Sequence, residues 1–192
     1  MNLEGEMVIN APRQEVWEAL NDPEILARCV DGCERLERVA PNQFAGDLKV
    51  QVGPIRAKFR GEILLKDIVP PSSYTLAGSG KGGASGFASG EAKINLVELE
   101  HGTLLKYTVT AKVGGKLAQI GGKLIENTAK QHASKFFAKL KEILEPAAQL
   151  SFQGGIPEAV EAGGRKRRSW LAPSLVLSVI IIGALAYALV VR

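Results

Sequence analysis

Between residues 33 and 113 the apolar side chains fall at every second position, and this alternation restricts the fold more than any other feature of the chain. A strand with one dry and one solvated face produces that period, because successive side chains point to opposite sides. The inward set comprises Phe44, Leu48, Val50 and Val52; Ala57, Phe59, Ile63 and Leu65; Tyr74 and Leu76; Ala92, Ile94 and Leu96; then Leu105, Tyr107, Val109 and Val113. Turn chemistry interrupts the pattern at Pro41-Asn42, Gly53-Pro54, Pro70-Pro71, Gly82-Gly83 and His101-Gly102. Six strands joined as a meander are expected.

The flanks complete the architecture. Residues 2–9 alternate as a first strand, with Leu3, Gly5, Met7 and Ile9 on one face. Pro12 suits the first turn of a helix whose stripe is Val16, Trp17 and Leu20, and Asn21-Asp22-Pro23 restarts the chain in a second short helix to about Arg28. From Lys116 to Leu144, Leu117, Ile120, Leu124, Ile125, His132, Phe136, Phe137, Leu140 and Leu144 recur at helical spacing. One strand, two short helices, six strands and a long helix spell an α+β helix-grip fold, an antiparallel sheet wrapped around the C-terminal helix. Inward positions also include Gly5, Gly46, Gly61, Gly78 and Gly80, which either leave an apolar cavity or merely let the sheet bend. Gly121 and Gly122 weaken the start of the last helix, to open as a flap or to approach the sheet closely.

The end of the chain is of another kind. Trp170 to Val191 is 22 residues without a charge. At ~1.5 Å per residue such a helix is roughly 33 Å long, enough for a hydrocarbon core of ~30 Å. Arg165, Lys166, Arg167 and Arg168 precede it and Arg192 follows, so the positive-inside bias places the preceding domain on the cytoplasmic side. The expected organisation is a ligand-binding domain over 1–146, a flexible linker over 147–164, and a basic flank with a transmembrane anchor over 165–192. Residues 165–192 hold five bases and no acids, so the chain's net +4 leaves −1 for residues 1–164. A near-neutral domain with few aromatics is not a nucleic-acid binder.

Little in the domain points to catalysis. Sequence signatures of a serine hydrolase, a zinc protease or a P-loop are missing, and the glycine run at 80–90 leads into a strand pattern rather than a helix. Cys29 and Cys33 read as reduced thiols, and their spacing is a poor metal signal without further ligands nearby. His101 lies in a hairpin turn. His132 lies on the apolar helix face, either facing a ligand oxygen or pairing with backbone or water at the helix edge.

Several stretches carry a resemblance to a known family: Asn21-Asp22-Pro23-Glu24, Gly32-Cys33, Val52-Gly53-Pro54, GKGGASGFASGEAKINL at 80–96, GGKLAQIGGKLI at 114–125, and Phe136-Phe137. Over residues 1–146 the chain resembles the carbon monoxide dehydrogenase G-subunit family, a branch of the START-like helix-grip superfamily. Asp31 departs from the proline expected before Gly-Cys. The resemblance implies an accessory protein without enzymatic activity that holds a molybdenum-containing CO dehydrogenase, or a related hydroxylase, at the cytoplasmic membrane. With no covalent cofactor, its expected ligand is an isoprenoid quinone, menaquinone or ubiquinone, taken from membrane lipid. The expected cavity wall is Phe59, Ile63, Phe87, Ile94, Leu96, Tyr107, Leu117, Ile120, Leu124 and Phe136. A docking adaptor without a ligand is the competing expectation, with Lys116, Lys123 and Lys130 as a face for an acidic partner or anionic headgroups. A general lipid carrier is a third.

Overall fold

The computed structural model describes residues 1–145. The expected linker, basic flank and membrane helix lie outside the described residues; among those described, no helix is long and apolar enough to cross a membrane. The chain runs β1 (Asn2–Ile9), α1 (Arg13–Asn21), α2 (Pro23–Cys29), β2 (Cys33–Ala40), β3 (Gln43–Val52), β4 (Ile55–Val69), β5 (Ser73–Lys81), β6 (Phe87–Leu99), β7 (Gly102–Gly114), α3 (Lys116–Gln119) and α4 (Gly122–Leu144). The strands form a seven-stranded antiparallel sheet in the order β1-β7-β6-β5-β4-β3-β2. Strands β2 to β7 pair with their sequence neighbours as a meander, and β1 closes onto β7.

Local chemistry fixes the two short helices. The Asp22 carboxylate accepts the backbone N–H of Glu24 at 2.7 Å and of Ile25 at 3.3 Å, while Pro23 occupies a position whose missing N–H costs nothing. In α1, Val16, Ala19 and Leu20 turn inward at helical spacing. Thr103, fully buried, donates its hydroxyl to the Ala11 carbonyl at 2.8 Å and ties the start of β7 to the entry of α1.

The last helix is divided where one continuous helix was expected. The chain leaves α3 after one turn, and Gly121 takes φ +96°, a backbone state outside the right-handed helix that glycine adopts without a Cβ penalty. Helix α4 then starts afresh and lays Ile125, Ala129, His132, Ala133, Phe137 and Leu140 on the sheet.

The core consequently has two main parts. Around α1 and the C-terminal half of α4, Ile9, Val16, Phe44, Leu105, Phe137 and Leu140 pack with the middle strands. Around α3 and the first turn of α4, Leu48, Val50, Val52, Phe59, Leu117 and Ile125 form a second cluster. On the outer face Glu34 joins Lys49 and Lys58, and Asp47 joins Arg35 and Arg60; surface pairs of this kind add little to stability.

Replacing Asp22 with Ala removes the cap of α2 and should lower unfolding stability in urea by about 1 kcal/mol. Asp22→Asn keeps an acceptor and should stay near wild type.

Candidate functional site

Between α4 and the inner face of the sheet lies a cavity of about 80 Å³. Leu20, Leu26, Val30 and Leu36 enclose it from α1, α2 and β2; Ile63, Tyr74, Leu76, Ala92, Ile94, Leu105, Tyr107 and Val109 line it from the sheet. His132, Phe136 and Phe137 close it from α4. Helical spacing brings His132 and Phe136 to the same face one turn apart. Phe137 packs on Tyr107 with ring centroids 5.1 Å apart and meets Phe136 edge-to-face at 5.2 Å. On the far wall Trp17 holds Tyr74 edge-on at 5.4 Å.

Gly5 shows why the wall has this shape. It stands opposite Tyr107 across the β1–β7 pair, and a Cβ at Gly5 would collide with the tyrosine ring and hydroxyl. The room that this glycine leaves is occupied by its neighbour's ring. Gly46 likewise has no vacancy beside it, since a Cβ there would meet the Arg35 carbonyl at 2.7 Å.

Among the described lining residues, Tyr74, Tyr107 and His132 alone carry polar side-chain atoms. His132 is fully buried and out of contact with solvent. Burial, helped by Lys135 and opposed by Asp31, pushes its imidazole down to about 3, so it is neutral at physiological pH and presents one N–H and one lone pair. Burial also raises the phenols of Tyr74 and Tyr107, which stay protonated.

Asp31 is visible in the sequence only as a departure from an expected proline. Its carboxylate pairs with Lys139 and lies 3.6 Å from Lys135, both on α4, and so straps the α2–β2 turn to that helix beside the cavity. Burial alone would raise this carboxyl, but the Lys139 hydrogen bond and the two lysine charges outweigh it and hold it below the usual carboxylate range.

Of the ten expected wall residues, Ile63, Ile94, Tyr107 and Phe136 meet at the cavity. Phe59, Leu117 and Ile120 instead belong to the second cluster, where side chains fill the space under α3. Leu96 is buried in the main core, away from the cavity lining. Phe87 and Leu124 are 52% and 40% exposed and face elsewhere. The inward set of β6 begins at Ala88, which leaves Phe87 on the outer face, and the restart at Gly121 phases α4 so that Ile125 points in. The contributions of Leu26, of Val30 at the C-cap of α2 and of Leu36 on β2 were missed; the four-residue spacing of Leu26 and Val30 was the available signal. Cys29 and Cys33 are free thiols, and among the described residues no group of three or more His, Cys, Asp or Glu is placed to hold a metal ion.

The family model described as the G subunit of carbon monoxide dehydrogenase (CoxG) matches residues 5–145. No curated protein matches the sequence. A conserved protein from Geobacillus kaustophilus is 34% identical and superimposes with TM-score 0.72, covering 77% of this chain and 97% of its own. A START superfamily protein from Mycobacterium smegmatis shares 15% identity at TM-score 0.60, over 78% of this chain and 99% of its own. The ZhuI aromatase/cyclase from Streptomyces sp. R1128 shares 14% identity at TM-score 0.57, over 81% and 99%. The last two share the fold alone, which is START-like.

The buried imidazole has a measurable consequence. Because its folded value lies below the ordinary 6.5, the unfolded chain takes up the proton first as pH falls. Stability from this group is complete above about pH 6.5 and is lost as pH falls towards 3. In urea unfolding, wild type should therefore lose about 1.4 kcal/mol per pH unit relative to His132→Gln between pH 6 and pH 4. Parallel pH profiles would contradict this.

Proposed function

We propose that this chain, which belongs to the carbon monoxide dehydrogenase G-subunit (CoxG) family, is a non-catalytic accessory protein that carries an apolar ligand for a molybdenum-containing CO dehydrogenase or a related hydroxylase. The observation that carries the reading is the cavity, walled by aliphatic and aromatic side chains with one neutral histidine in it. The proposed ligand is a respiratory quinone, menaquinone or ubiquinone. Its ring suits such walls, and a ring carbonyl is an acceptor that a neutral imidazole N–H or a tyrosine hydroxyl can satisfy. Burying about 200 Å² of such a molecule is worth roughly 5 kcal/mol, a useful share of what extraction from a bilayer requires.

The small volume sets a condition. A cavity of about 80 Å³ is smaller than the roughly 150 Å³ that accepts one benzene ring, so a quinone enters only when the walls part. The parting falls between α2 and α4, where the Asp31 contacts with Lys135 and Lys139 join the two sides. The tail sequence supplies the other half of the proposal: a cytoplasmic domain tethered by a single span can collect a ligand from the bilayer and present it to a soluble enzyme. The small volume also favours a second reading, a docking adaptor that binds the enzyme and carries nothing.

The full chain, purified from membranes, should release a stoichiometric quinone on organic extraction and take up a short-tailed quinone analogue after delipidation. Ala92→Leu adds three carbons into the cavity and should weaken that uptake about tenfold or more. Leu124→Glu lies outside the wall and should bind as wild type does. A wild-type chain that neither releases nor takes up quinone leaves the adaptor, and a different extracted lipid leaves a general carrier.

A further inference from the structure

The two ends of the domain differ in charge. At one end three segments come together: 53–58 at the β3–β4 turn, 81–87 between β5 and β6, and 112–124 around α3. A Cβ on Gly53 would sit 3.0 Å from Leu124 Cδ2, Gly114 lies beneath the Phe87 ring, and Gly115 abuts Gly86. These segments hold Arg56, Lys58, Lys81, Lys112, Lys116 and Lys123 and no acidic residue. All six cations are exposed. At the other end, segments 66–73, 97–102 and 141–145 hold Asp67, Glu98, Glu100, Glu142 and Glu145 against Lys66 and Lys141.

The basic end also carries apolar side chains in solvent. Phe87 is 52% and Leu124 40% exposed, and Pro54 is exposed at the apex of its turn. Singly these would mean little. The acids beside these cations are Glu34, paired with Lys58, and Glu126, near Lys123 and itself paired with Lys130. The balance of charge stays positive, and apolar side chains set in it match a bilayer interface, where bases meet headgroups and apolar tips enter the acyl boundary. The start of α4 adds to the match. It has no acidic residue in its first turn and no side-chain cap, and Lys123 lies where the helix dipole disfavours a cation. An arrangement that works against the helix works in favour of a nearby anion.

We propose that this end docks on the headgroups of an anionic phospholipid bilayer. The inference rests on the membrane tether in the proposed function and not on the ligand. The tether allows the pose. Helix α4 has 23 residues, about 35 Å, and ends at the acidic end, where the Glu145 carboxylate accepts the Asn10 N–H. Nineteen residues separate Glu145 from Arg165, and a chain of that length reaches at most about 65 Å, enough to return past the domain to the surface.

The test is hydrogen exchange of the full chain reconstituted in vesicles of phosphatidylcholine alone or mixed with phosphatidylglycerol. Segments 53–58 and 112–124 should exchange about fivefold more slowly on the anionic vesicles, while 97–102 is unchanged. Lys112→Glu, Lys116→Glu and Lys123→Glu together, all at exposed positions, should abolish the difference, and so should high salt. Equal exchange on both vesicles, or equal slowing at 97–102, overturns the proposal. Slowing that appears only when the dehydrogenase is added also overturns it, in favour of an acidic protein. Docking without quinone uptake would sink the ligand reading alone, and uptake without docking would sink this one.

Discussion

One helix, α4, covers the concave face of seven strands, and the rest of the molecule accommodates that contact. A helix about 10 Å across is narrower than a bent sheet of this width. Uncovered sheet must therefore be filled by side chains or roofed by something else. Toward α3 the filling is by bulk, with Phe59, Leu117 and Ile125 meeting in the gap. Toward α2 it is by a roof, with Leu26 and Val30 closing over Ile63 and Tyr74. The cavity is what remains between a roof and a floor that do not quite meet.

That origin accounts for its chemistry. The floor is the inward half of an alternating sheet, so it is apolar by the same rule that makes the strands. Polar groups enter only where a residue does two things at once. His132 sits on the buried stripe of α4 and remains neutral because water is excluded there. Tyr74 and Tyr107 are held by Trp17 and Phe137, which fix where their rings lie. The strap from Asp31 to Lys135 and Lys139 is polar because it stands at the edge, where solvent still stabilises charges.

The meander from β2 to β7, the turn positions and nearly every inward residue were legible in the sequence, because alternation and turn chemistry are local and leave a mark at each position; the pairing of β1 with β7 was not. The cavity was legible only in part. Ile63, Ile94, Tyr107 and Phe136 were found, since each sits mid-element where phase is unambiguous. Phe87 and Leu124 were misplaced because each lies at an element's first turn or first residue, where a break in the chain resets the phase. The glycines misled for a different reason. A missing side chain signals space but not who occupies it, and at Gly5 the occupant is Tyr107, about a hundred residues later in the chain.

That last pairing has a consequence for how the chain is made. Six of the seven strands find partners next to them in sequence, but β1 pairs only with β7. At roughly 5–20 residues per second, a ribosome needs about 5–20 s to travel from one to the other. For that interval Leu3, Met7 and Ile9 have no strand to join, and the nascent chain emerges with its first apolar strand unpaired. The domain is thus closed by a strand made long before its partner, and a chaperone acting on the nascent domain would find its substrate in β1.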